Sequence, residues 1–77
     1  MNVLFKIEFI MRIILNNRLV DLNENNITVG ELLRIKNYSF RMLVTKINDN
    51  LVKKEDREDT FIKEGDEVVV LHMISGG

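Results

Sequence analysis

Residues 67–74 read Glu67-Val68-Val69-Val70-Leu71-His72-Met73-Ile74, the most apolar and most β-branched run in the chain. Consecutive valines lose side-chain freedom in a helix and pack well on a pleated surface. A run that is continuously apolar, instead of alternating, has the pattern of a central strand covered on both faces. Lys63-Glu64-Gly65-Asp66 leads into it as a turn, with the glycine supplying a positive φ. A central strand needs neighbours on both sides, and the rest of the sequence supplies them.

Every odd position from Val3 to Leu15 is apolar, the period-two mark of a half-buried strand. That span is long for a strand, which usually has about five or six residues. Met11-Arg12-Ile13-Ile14-Leu15 suffices alone, and residues 1–10 are then an N-terminal extension, either an alternative start or added sequence. The competing reading lengthens the first strand and gives it an edge able to pair between chains. The first is preferred.

Asn16-Asn17 tolerates the left-handed backbone of a tight hairpin, and Leu19-Val20-Asp21-Leu22 returns. After a polar loop, Asn23 to Asn26, Thr28-Val29-Gly30-Glu31 has capping-box spacing. Val29, Leu32 and Leu33, with Ile35 beside them, form the apolar stripe of a helix over 29–36 that Asn37 stops. Tyr38 and Phe40 read as loop-packing residues. Met42 to Asn48 is a strand, Asn48-Asp49-Asn50 a turn, and Leu51-Val52 a brief partner strand. Lys53 to Asp59 reads as a solvated loop or helical turn, after which Phe61 and Ile62 anchor the chain. The expected architecture is α+β: a mixed sheet of four to five strands with one short helix packed across one face. The last strand lies in the middle, parallel to the first.

Composition narrows the function. The 77 residues, 45% hydrophobic and 30% charged, describe one ordinary globular domain with a small core. Eleven basic and twelve acidic residues are interleaved, whereas nucleic acid calls for a concentrated basic face. No cysteine is present, which excludes disulfides, thiolate metal sites and a thiol nucleophile. A single histidine cannot make a multi-histidine metal site. Lys6, Glu8 and Arg12 interrupt the apolar N-terminus, so neither a signal peptide nor a membrane span is expected, and the cytoplasm is the default location.

The sequence finishes on Ser75-Gly76-Gly77. Glycine costs the most entropy when ordered and adds nothing to a core, so this ending suggests a flexible handle. The chain from Met11 to Gly77 resembles the ThiS family of ubiquitin-like sulfur carriers. The resemblance rests on Met11-Arg12-Ile13, Asn16-Asn17, Thr28-Val29-Gly30-Glu31-Leu32-Leu33, Ile47-Asn48-Asp49-Asn50-Leu51-Val52, Lys63-Glu64-Gly65-Asp66-Glu67-Val68 and the closing Gly76-Gly77. Residues 1–10 have no counterpart in that family, and Lys53 to Glu58 lacks the Pro-Arg pair often found there.

The resemblance implies a β-grasp fold and a carrier that is not an enzyme. The carboxylate of Gly77 would be adenylated by a ThiF- or MoeB-like enzyme using ATP, and no cofactor or metal would be bound. A sulfur donor such as a cysteine desulfurase would convert it to a thiocarboxylate, which a ThiG-like thiazole synthase would use in thiamin thiazole formation. His72, Met73, Ile74, Ser75 and Gly76 would contact partners. His72 also reads as a partly exposed edge residue, and for Met73 and Ile74 a core role is equally open. The alternatives are a MoaD-like molybdopterin sulfur carrier, a ubiquitin-like modifier conjugated through Gly77, and an interaction domain with an incidental tail.

Overall fold

In the computed structural model, which describes residues 10–38 and 42–73, the run at 67–72 is the middle strand of a five-stranded sheet. The strands are β1 (Met11–Leu15), β2 (Arg18–Leu22), β3 (Leu43–Ile47), β4 (Asn50–Val52) and β5 (Glu67–His72), and helix α1 (Val29–Ile35) lies between β2 and β3 in sequence. Their order in the sheet is β2-β1-β5-β3-β4. β5 runs parallel to β1 and antiparallel to β3, and the outer pairs are antiparallel hairpins.

Both hairpins turn on two residues of positive φ, Asn16-Asn17 (50° and 70°) and Asn48-Asp49 (48° and 71°). This backbone matches the right-handed twist of the strands it joins, and short polar side chains tolerate it. Gly65 has φ 84° and donates its N–H to the carbonyl of Arg12 at 2.8 Å, which fixes the entry of β5 beside β1.

The helix has only seven residues, too few to persist alone in water, so its ends and its buried face must hold it. Thr28 and Glu31 form the expected capping box, with the Glu31 N–H donating to Thr28 Oγ1 at 3.1 Å and the Thr28 N–H donating to Glu31 Oε1 at 2.8 Å. The other two early N–H groups, of Val29 and Gly30, donate to the carbonyls of Thr60 and Arg57, each at 2.9 Å. No donor of the first turn is left unpaired. At the C-terminal end Asn37 adopts φ 62°, and the N–H groups of Asn37 and Tyr38 donate back to Arg34 and Leu33. That is a Schellman closure with asparagine in the left-handed position.

The core lies between the helix and one face of the sheet. Val29, Leu32 and Leu33 meet Met11, Ile13 and Leu15 of β1, Leu22 of β2, Val52 of β4, Val68 and Val70 of β5, and Ile27 and Ile62 from the loops. Thr45, fully buried in β3, satisfies its hydroxyl by donating to the Val52 carbonyl at 3.0 Å.

Three expectations are corrected. β5 is covered on one face only, with Val68 and Val70 buried, Val69 half-buried and Leu71 47% exposed. The β-branched composition of the run reflects its central place in the hydrogen-bonded ladder, since the one helix covers a single side. Ile35 is exposed, because at about 100° per residue it lies about 120° round the helix from Val29 and about 160° from Leu33, off the face that meets the sheet. Phe61 is also exposed while Ile62 is buried, as adjacent residues of an extended segment point in opposite directions. The 53–59 segment is the expected exposed helical turn, a single 3-10 turn at Lys54–Asp56, with only Arg57 half-buried. Arg57 reaches under β3 to the Leu43 carbonyl and Thr45 Oγ1, and its own carbonyl accepts from the helix N-terminus.

Ile10 continues the first hairpin by donating its N–H to the Leu22 carbonyl at 2.9 Å. The readings of residues 1–9 and of Phe40 lie outside the described residues.

Candidate functional site

Parallel pairing with β1 and antiparallel pairing with β3 send β5 out of one end of the sheet, toward the diglycine. Two devices fix that exit. On the β3 side, His72 stands opposite Leu43, and the Met73 N–H donates to the Met42 carbonyl at 2.8 Å, one residue beyond the named strands. On the other side β1 has already turned into its hairpin, and Asn16 takes over. The Asn16 N–H donates to the Val68 carbonyl at 2.9 Å. Its side chain then makes the next rung: Oδ1 accepts from the Val70 N–H at 2.8 Å and Nδ2 donates to the Val70 carbonyl at 3.1 Å. Nδ2 also lies 3.3 Å from the Tyr38 hydroxyl. One carboxamide thus imitates a peptide group and extends the ladder past the point where the backbone leaves it. Asn16 was legible as a turn residue, but nothing in a single sequence marks it as a clamp on a strand 54 positions away.

Replacement of Asn16 by aspartate isolates this function, since aspartate also tolerates positive φ. The variant keeps an acceptor for the Val70 N–H but sets a second acceptor against the Val70 carbonyl. We expect a loss of about 1–2 kcal/mol in urea unfolding at neutral pH. Part of it should return in acid, where the protonated carboxyl can donate. An unchanged midpoint at neutral pH would contradict the clamp.

Of the residues expected to contact partners, His72 and Met73 fall within the described residues, whereas Ile74, Ser75, Gly76 and Gly77 lie outside them. His72 is exposed and closes the central strand, as expected. Met73 is 48% exposed, which removes the core reading for that residue. The helix-free face behind them is partly apolar: Ile14, Val44 and Val69 are half-buried, and Leu19 and Leu71 are exposed. Register places Leu71 beside Val44 and Leu19 beside Ile14; Ile14 stands opposite Glu67, four positions before Leu71, so these are two separate apolar pairs on that face.

Two bidentate ion pairs lie away from the exit. Arg12 donates to Asp21 at 2.6 and 3.2 Å across the first hairpin, and Arg34 of the helix donates to Glu58 at 2.8 and 3.0 Å. Hydrogen bonds from the arginines hold the Asp21 and Glu58 carboxyls below their ordinary range, against some desolvation and with help from the arginine charges. A carboxylate with a lowered folded pKa stabilises the fold above its unfolded pKa and loses that contribution as pH falls through the folded value. Stability should therefore be level around neutrality and decline in acid. Asp21→Asn should flatten the decline, as read from urea midpoints over an acid pH series. Both pairs are solvent-exposed, so the effect should be small and weakened by salt.

The described residues contain no group of three or more histidine, cysteine or carboxylate side chains placed to hold a metal, and no helix long and apolar enough to cross a membrane. What the site offers is a clamped strand that ends beside an exposed, partly apolar face. The solved structure of the thiamine biosynthesis protein (ThiS) from Geobacter metallireducens is similar, with a TM-score of 0.79 at 23% identity, covering 87% of this chain and 100% of that one. The shared architecture is the ubiquitin-like β-grasp fold. No curated protein sequence matches the chain significantly. The sequence profile of the ThiS family matches residues 12–77, from the first strand through the final glycine, and the chain therefore belongs to the ThiS family of small sulfur carriers in thiamin biosynthesis.

Proposed function

We propose that Gly77 is the working residue, adenylated at its carboxylate by a partner enzyme and converted to a thiocarboxylate. A carboxylate is a poor acyl donor because oxide would have to leave. Attack of a carboxylate oxygen on the α-phosphorus of ATP expels pyrophosphate and gives an acyl-adenylate with AMP as a good leaving group. Sulfide displaces AMP directly to give the thiocarboxylate, whereas a persulfide first gives an acyl disulfide that a thiol must cleave. The thiocarboxylate sulfur then attacks an electrophilic carbon on a thiazole synthase. This chain contributes the nucleophile to the first and last steps and the electrophilic carbonyl to the sulfur-transfer step, and its partners contribute the acids, bases and metal. The partners are a ThiF- or MoeB-like adenylating enzyme, a sulfur donor such as a cysteine desulfurase, and a ThiG-like synthase.

The observation that carries this reading is the family match running through Gly77, on a strand that leads toward the tail. Two residues without Cβ let the backbone enter a narrow channel and bring a carbonyl against a nucleotide phosphate. Intact-mass measurement after incubation with a ThiF-like enzyme, ATP and sulfide tests it. The expected product has one oxygen replaced by sulfur and requires ATP. A conjugate through a lysine would instead make the chain a protein modifier, and an unchanged mass with both ThiF- and MoeB-like enzymes would sink the proposal.

A further inference from the structure

The charges of the described residues are divided between the two ends of the sheet. At the end remote from the tail, Asp21, Glu24, Asp49, Glu64, Asp66 and Glu67 cluster, with Arg12 and Lys63 among them. At the exit end residues 15–18, 36–38, 42–44 and 71–73 include no acid, whereas on the β4 side, where Val52 stands opposite Thr45 and Arg57 reaches the Leu43 carbonyl, Lys53 and Lys54 are interleaved with Glu55, Asp56 and Glu58. The exit end carries Arg18, at the start of β2, and Lys36, which closes the helix. Neither side chain makes a hydrogen bond or ion pair with another described residue, in contrast to Arg34 and Arg57, which are engaged.

Arg18 and Lys36 border one hollow of about 340 Å³ whose other lining residues are Leu15, Asn16, Val20 and Tyr38. Asn16 in that wall is the residue that clamps Val70, so the hollow lies at the root of the tail. Lys36 also borders the neighbouring hollow lined by Asp21 and Glu24, so it stands between the two ends; Asp21 is held by Arg12, and Lys36 makes no ion pair with Glu24.

We propose that Arg18 and Lys36 recognise an acidic surface on the activating partner, at the mouth of the channel that admits the tail. The proposal rests on the function put forward for Gly77 and adds the chemistry of the partner surface. Reach separates the two cations from the nucleotide. Gly77 follows His72 by five positions, and five extended residues span about 17 Å. With the Gly77 carboxylate at the α-phosphate, a body at the root of an extended tail stands well away from it, and its cations meet protein instead. Two unpaired cations beside the tail and an acidic pole at the far end also orient the molecule. In the field of an acidic surface, the chain arrives tail first.

The test is steady-state kinetics of ATP-dependent sulfur loading, with the full-length chain as varied substrate of a ThiF-like enzyme at several salt concentrations. Arg18→Glu/Lys36→Glu should raise KM for the carrier by about tenfold, leave kcat unchanged and flatten the salt dependence seen with wild type. Lys53→Glu/Lys54→Glu, which changes the same number of charges on the 3-10 segment, should move KM less than twofold. Thermal unfolding of each variant separates misfolding from lost recognition. Equal effects of the two double variants would reduce the result to net charge and overturn the proposal. A fall in kcat at constant KM would place the cations at the nucleotide and overturn it as well. Loading of the wild type with no response to Arg18 and Lys36 sinks this proposal alone, whereas failure of the wild type to load sinks the function proposed for Gly77 together with it.

Discussion

A chain lacking Gly77 should unfold at the same temperature as the full-length protein and acquire no sulfur from its activating partner. The first half follows from the core of the described residues, whose last member is Val70, seven positions before Gly77. The second follows from distance. Removal of one residue draws the terminal carboxylate back by about 3.5 Å, and displacement at phosphorus requires reacting atoms within about 3–3.5 Å in the right orientation. A misplacement of only about 1 Å can cost a hundredfold, so a full residue should take turnover below detection. Gly77→Ala is the finer probe. It keeps the length but puts a Cβ beside the carbonyl that sulfur must attack, and it should slow loading by at least about tenfold while leaving the unfolding temperature untouched. Single-turnover assays that follow AMP formation and mass gain separately show which step is lost. Undiminished sulfur loading of the shortened chain would remove Gly77 from the chemistry altogether.

The sequence exposed the parts of this fold that depend on local rules. Thr28 and Glu31 could be paired because a capping box needs only residues three apart, and Asn16-Asn17 marked a hairpin because few residues accept its backbone. Gly65 was legible in the same way. The middle position of β5, and its parallel pairing with β1, followed from composition and element order. What stayed hidden depends on contacts distant in sequence. The Arg57 carbonyl completes the helix N-terminus and its guanidinium supports β3, yet within Lys53 to Asp59 it was one charge among seven positions. Arg18 and Lys36 are 18 positions apart, and they border one hollow only because the helix returns its C-terminal end to the start of β2. The exposure of Leu71 was masked by the continuous apolar run, which reads as covered on both faces although the one expected helix covers only one. For the site, the glycines at 76 and 77 were evident at once, while the clamp that aims the strand toward them was not.

Leu32→Ala should give the largest loss of stability among single substitutions in the helix. Leu32 is fully buried, and with Val29 and Leu33 it is the helix's attachment to the sheet. Alanine is at least as good a helix former as leucine, so local propensity costs nothing. The loss comes from packing and from the cavity left between α1 and the sheet, about 3 kcal/mol within a usual range of about 2–5. A domain of 77 residues has a total stability of about 4–11 kcal/mol, so this one contact can remove half of it. At about 4–8 °C per kcal/mol for domains of this size, the unfolding temperature should fall by about 12–24 °C. Leu19→Ala makes the control: the side chain is 68% exposed on the opposite face, and its loss should stay within about 0.5 kcal/mol. The pair also tests the division of labour between body and tail. If the body only presents Gly77, the Leu32 variant, assayed well below its unfolding temperature, should load sulfur at the wild-type rate per folded molecule. Loss of loading in the folded Leu32 variant would show that the helix does more than hold the sheet in shape.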